Sequence, residues 1–96
     1  MGIDELLKGR RDEILRITEK HGARNLRVFG SFARGEAGPV SDLDLLIDAG
    51  PKTTAWFPGG LIADLEDLLG RKVEIATPEA IHWYIRDRVL REAKPL

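Results

Sequence analysis

The chain contains no cysteine. That excludes disulfides and thiolate metal sites, and it fits a cytoplasmic compartment. Histidine is also scarce, with two residues at distant positions, His21 and His82. Each reads as a solvated or capping residue near a helix end rather than as a catalytic group. Excess charge is lacking: the formal net charge is −1, so there is no bulk basic field to hold a polynucleotide, and nucleic-acid binding is not the expected function. No apolar run approaches the length of a membrane span, and the first residues carry no signal-peptide pattern. Internal repeats and low-complexity tracts are missing too.

What remains is an ordinary globular composition, 43% hydrophobic and 32% charged over 96 residues, and residues 1–96 read as one domain with a modest core. Residues 3–21 predict an amphipathic helix, with Ile3, Leu6, Leu7, Ile14 and Ile17 near one stripe and Gly22 as its stop. Residues 26–29 predict a strand, and so do residues 43–48, whose nearly all-apolar run suits cover on most of both faces. Residues 49–60 are rich in Gly, Pro and Thr and read as a loop, with Pro58 in the first turn of the next helix. Leu61, Ile62, Leu65, Leu68 and Leu69 give that helix its period, and Gly70 ends it. Residues 72–76 predict a third strand. Thr77 and Pro78 read as the start of a last helix, broken near His82 and running to about residue 93. This order predicts an α+β fold, with helices packed on a small mixed β-sheet.

The informative stretch lies between the first two strands. An apolar run stops at Gly30 and Ser31, a short loop follows, and Asp42 and Asp44 head the next apolar run. Residues i and i+2 of a strand share a face, so Asp42 and Asp44 are expected side by side, opposite Leu43, Leu45 and Ile47. Two adjacent carboxylates are costly unless protonated, solvated or neutralised by a cation. Such oxygen donors suit Mg²⁺, which keeps water and substrate phosphates in its shell. Gly30 allows close backbone approach to a ligand. Ser31 is expected to cap a short helix through Phe32, Ala33 and Arg34, whose free N–H groups favour an anion. Together the two halves point to metal-dependent chemistry on a nucleoside triphosphate. Arg34 suits either a phosphate contact or an ion pair with a nearby aspartate. Ser41 is expected to cap the turn before Asp42, and Asp48 to be a turn residue. Glu74 stands alone on the polar face of an apolar strand and is the candidate third carboxylate.

Gly30-Ser31, ten intervening residues and then Asp42-x-Asp44 resemble the signature of the DNA polymerase beta nucleotidyltransferase superfamily. The longer pattern Gly-Ser-x-Ala-Arg-Gly followed by Ser-Asp-x-Asp resembles the minimal nucleotidyltransferases, small prokaryotic domains often paired with a HEPN-domain protein. The resemblance implies a polymerase beta-like fold and Mg²⁺ held by Asp42, Asp44 and Glu74. It implies a nucleotide phosphate site at Gly30, Ser31 and Arg34, with ATP as co-substrate. In this family the third carboxylate is often Asp and activates the attacking hydroxyl; Glu74 is one methylene longer. The implied reaction is AMP transfer to a tyrosine hydroxyl of a HEPN toxin, which makes this chain an antitoxin in a hetero-oligomer. The rival reading is a binding module that neutralises such a partner without catalysis. Transfer to a small-molecule hydroxyl would need an acceptor domain for which the chain has no length.

Two surface patterns complete the reading. Trp56, Phe57, Trp83 and Tyr84 fit core plugs of a small domain better than a partner surface or base-stacking platform. The charges at Arg86, Asp87, Arg88, Arg91 and Glu92 read as a salted helix face.

Overall fold

The computed structural model describes residues 9–51, 53 and 57–96. Among the described residues four helices and four strands follow one another: α1 (Arg11–Lys20), β1 (Ala23–Phe29), α2 (Ser31–Arg34), β2 (Leu43–Ala49), α3 (Gly59–Leu69), β3 (Val73–Ala76), α4 (Trp83–Glu92) and β4 (Lys94–Pro95). The strands form one mixed sheet in the order β3-β2-β1-β4. β1 runs antiparallel to β2 and β4, and β2 runs parallel to β3 with α3 as the crossover. The α+β mixed sheet expected from the element order is therefore present.

Alternation along β2 divides the cover of the sheet. Leu43, Leu45 and Ile47 enter the main core, where Ile14 of α1, Phe32 of α2 and Leu61 and Leu65 of α3 meet them. Leu46 points the other way and is fully buried by Ile81 and by Val89 of α4. Asp44 lies on that second face too, two residues before Leu46. Truncating a fully buried leucine such as Leu45 or Leu46 to alanine costs about 2–5 kcal/mol, and this packing is what holds β2 in place under Asp44.

Several boundaries differ from expectation for local reasons. The predicted helix 3–21 is described from Arg11; Ile3, Leu6 and Leu7 lie outside the described residues. β1 starts three residues early, at Ala23, because a register irregularity between Arg24 and Arg27 absorbs the polar Asn25 at φ +54. Asn25 and Arg27 then both donate to Asp48, at 3.0 Å each, so Asp48 is a paired strand residue and not a turn residue. Pro58 takes the cap position of α3 instead of its first helical position. Thr77 and Pro78 do not start a helix. They form a turn closed by the Ala80 N–H on the Thr77 carbonyl, at 3.0 Å, and burial of Ile81 against Leu46 holds the chain extended past it. α4 starts at Trp83, and the His82 ring nitrogen Nδ1 accepts from the Tyr84 N–H at 3.2 Å. Pro95 sits in β4, an edge strand that tolerates proline's missing donor.

The aromatic expectation is corrected in part. Trp83 and Tyr84 are 74% and 77% exposed, so they are not core plugs. Phe57 does pack against the main core, while Trp56 lies outside the described residues.

Candidate active site

Three chain segments meet at one end of the sheet: the end of β1 with the start of α2, the start of β2, and the start of β3. In the ladder, Asp44 pairs with Phe29 on one side and with Glu74 on the other. Asp44 and Glu74 are thus neighbours on one sheet face, although 30 residues part them in sequence. Their side chains lie within hydrogen-bonding reach of each other. Burial, chiefly, and then the charge of Glu74, this hydrogen bond and the charge of Asp42 push the Asp44 carboxyl up to about 6, against a weaker opposing pull from Arg34.

Asp42 stands just before β2 and beside Lys72, whose Nζ lies 4.0 Å from its Oδ2. It is near enough to raise the Asp44 pKa, but it belongs to the loop and not to the strand pair. Among the described residues no three His, Cys, Asp or Glu side chains form a ready metal cage. The donors present still fit Mg²⁺. A half-buried carboxylate that binds a proton near neutrality, against a second carboxylate, is a place where a divalent cation relieves repulsion. Mg²⁺ commonly takes only one or two carboxylates and completes its shell with water and phosphates.

The loop before Asp42 is fixed from α3's end. Arg71 donates to the Ser41 carbonyl at 2.6 Å and to the Gly38 carbonyl at 3.4 Å, and its guanidinium lies 4.9 Å from the centre of the Phe32 ring. Ser41 Oγ accepts from the Gly38 N–H at 2.8 Å, so it caps the turn as expected. Replacing Arg71 with methionine keeps much of the stem but loses these donors. It should cost about 1–2 kcal/mol in urea denaturation and weaken nucleotide affinity by loosening Asp42.

α2 differs from expectation by one position. Gly30 is its cap residue, at φ +72 and ψ −152, and Ser31 is its first helical residue. A side chain at residue 30 would run into the Asp44 carboxylate, so glycine here is what lets the loop lie against the strand. Arg34 makes its ion pairs with glutamates instead of aspartates: its Nη1 is 2.7 Å from Glu92 Oε1 and its Nε is 3.1 Å from Glu36 Oε2. Glu92 Oε2 also accepts from the Gly30 N–H at 2.9 Å. Sequence reasoning placed Glu92 on a salted helix face. Nothing local marks its contact with a loop 62 residues away; only the closure of β4 onto β1 brings it there.

A family model for the nucleotidyltransferase domain matches residues 11–96. The chain belongs to this nucleotidyltransferase family. It is 36% identical over 93 residues to a chain assigned as a protein adenylyltransferase in Methanocaldococcus jannaschii, covering 97% of this chain and 96% of the relative. A solved structure assigned as a minimal nucleotidyltransferase superposes with a TM-score of 0.84 at 44% identity, covering 100% of this chain and 97% of the other. A toxin–antitoxin complex with AMP-PNP has a chain of the same fold, with a TM-score of 0.73 at 17% identity over 88% of this chain and 69% of that one. The minimal nucleotidyltransferase resemblance and the polymerase beta-like fold both hold, and the protein is a nucleotidyltransferase enzyme. Among the described residues no helix is long and apolar enough to cross a membrane.

Proposed function

We propose that this nucleotidyltransferase moves AMP from ATP to a tyrosine hydroxyl of a HEPN-domain toxin, and so acts as the antitoxin of the pair. The observation that carries the reading is the register of Asp44 against Glu74, with the Gly30 loop lying directly over Asp44. ATP as donor is supported by the adenylyltransferase assignment of the relative and by AMP-PNP in the toxin–antitoxin complex of like fold. The HEPN partner and its tyrosine are what the Gly-Ser-x-Ala-Arg-Gly and Ser-Asp-x-Asp motifs imply.

In this reading Asp44 and Glu74 hold Mg²⁺, with Asp42 completing the acidic set. The bound metal would supply charge neutralisation along the triphosphate and at the departing oxygen. Ser31 and the free N–H groups that open α2 orient the outer phosphates, with Arg34 alongside. Glu74 is solvent-exposed and faces the incoming acceptor, where it takes the proton of the hydroxyl. The hydroxyl oxygen attacks the α-phosphorus in line, the bridging bond to the β-phosphate breaks, and pyrophosphate leaves. In this reading the acceptor hydroxyl comes from a second protein, the toxin.

The test is intact mass spectrometry of the protein encoded beside this one, incubated with this chain, Mg²⁺ and each nucleoside triphosphate in turn. A gain of one or more AMP units, with ATP alone and lost with Asp44→Asn, is expected. A tight complex that forms in chelator without any mass gain would overturn the transfer reading.

A further inference from the structure

Glu92 uses both oxygens of its carboxylate on the nucleotide loop. Oε2 takes the Gly30 N–H and Oε1 takes the Arg34 guanidinium. Glu92 is the last residue of α4, its carboxylate lies against the loop, and its side chain is only 19% exposed. Burial pushes its pKa up, but the Arg34 and Gly30 donors together outweigh that and keep it below the usual glutamate range. It is therefore charged at neutral pH. A carboxylate gripped by a backbone N–H and a guanidinium is chemically what a phosphate would be at the same donors.

We infer that Glu92 is a resident anion on the donors for the nucleotide's phosphates, and that a triphosphate engages Gly30 and Arg34 by displacing it. This rests on the nucleotide reading given above. Two anions cannot share Gly30's single N–H, and Arg34 is already divided between Glu92 and Glu36. The nucleotide-competent state is the one in which Glu92 has swung out, so measured affinity is reduced by the fraction of time it stays in.

The test is calorimetric titration of wild type and Glu92→Gln with Mg·ATP and, separately, with inorganic tripolyphosphate, which has no base or sugar. Glu92→Gln keeps the shape but loses the charge. It is expected to bind both ligands about tenfold more tightly than wild type. Should the variant fold poorly, the wild type alone decides: the Gly30 amide and the Glu92 carboxylate carbon resonances are expected to move together as tripolyphosphate saturates the site. Equal or weaker binding by the variant, or a Glu92 resonance that stays fixed at saturation, would show that Glu92 braces the loop instead; the nucleotide reading would survive. Failure of both proteins to bind either ligand would overturn the nucleotide reading itself, and this inference with it.

Discussion

Asp44→Asn is expected to abolish nucleotidyl transfer while making the protein more stable above pH 6. Transfer should fall at least ~10²–10³-fold, because the substituted amide carries no charge to hold a cation against the triphosphate. The stability gain follows from the raised pKa. Asp44 in the folded chain gives up its proton near pH 6, whereas an unfolded aspartate does so near 3.8. Between those values the folded state binds more protons than the unfolded state, so stability falls as pH rises through the window, and the penalty is complete above it. A shift of this size is worth ~3 kcal/mol if felt in full, and ~1–2 kcal/mol after allowing for solvent screening of a half-buried group. For a chain this short that is a gain in Tm of about 5–10 °C. Thermal melts in chelator from pH 4 to 8 check it: wild type should lose stability between pH 4 and 6, and the variant should not. Asp64 and Glu92 have lowered pKa values, so their contributions vanish on acidification and oppose this slope at the acid end. Added Mg²⁺ at pH 7.5 should raise the Tm of wild type by mass action and leave the variant unmoved.

That trade of stability for chemistry was partly visible in the amino-acid sequence. The spacing of Gly30 and Ser31 from Asp42 and Asp44, and the apolar run after them, placed a loop and a strand correctly. Leu43, Leu45 and Ile47 enter the core on one face, as period-2 alternation demands. Glu74 was picked out as the one acidic residue in its short strand, and it falls opposite Asp44 in the ladder. The boundary errors have a common origin. Thr77 and Pro78 carry strong helix-start chemistry, yet they make a turn because Ile81 must reach Leu46 across the sheet. Asn25 looks like a loop residue, yet a register irregularity lets β1 run through it. Trp83 and Tyr84 look like core residues in a chain poor in aromatics, yet α4 directs Val89 inward and leaves them in solvent. In each case a long-range contact overrode a local preference. Glu92 was illegible for the same reason. Its contact with Gly30 goes with the pairing of a two-residue edge strand onto β1, too short a strand to leave a pattern in the sequence.

The backbone under the site gives the second large effect. Gly30→Ala is expected to destabilise the fold by about 2–4 kcal/mol and to eliminate transfer. Two causes add. At φ +72 and ψ −152 the residue occupies a region that is essentially glycine-only, which costs about 1–3 kcal/mol for an L-residue. A Cβ there would also overlap the Asp44 carboxylate and come within 3.1 and 3.3 Å of its Cγ and Cβ, so the side chain that must face the substrate is driven off its rotamer. Gly35→Ala is the matched control. Gly35 has φ +73 in the ordinary left-handed region, and an added Cβ would meet nothing within 4 Å. It should cost only about 1–2 kcal/mol and leave transfer close to wild type. Urea denaturation separates strain from collision through the double variant Gly30→Ala with Asp44→Ala. Removing the Asp44 carboxylate deletes the overlapping oxygen and Cγ but leaves the backbone angles as they are. Measured against Asp44→Ala alone, which already removes the charge penalty, Gly30→Ala should cost less than it does in the wild type, the remaining cost measuring the backbone conformation. Full additivity would mean that the loop moves away from β2 in the single variant, and that Gly30 is selected for its angles alone and not for closeness to Asp44.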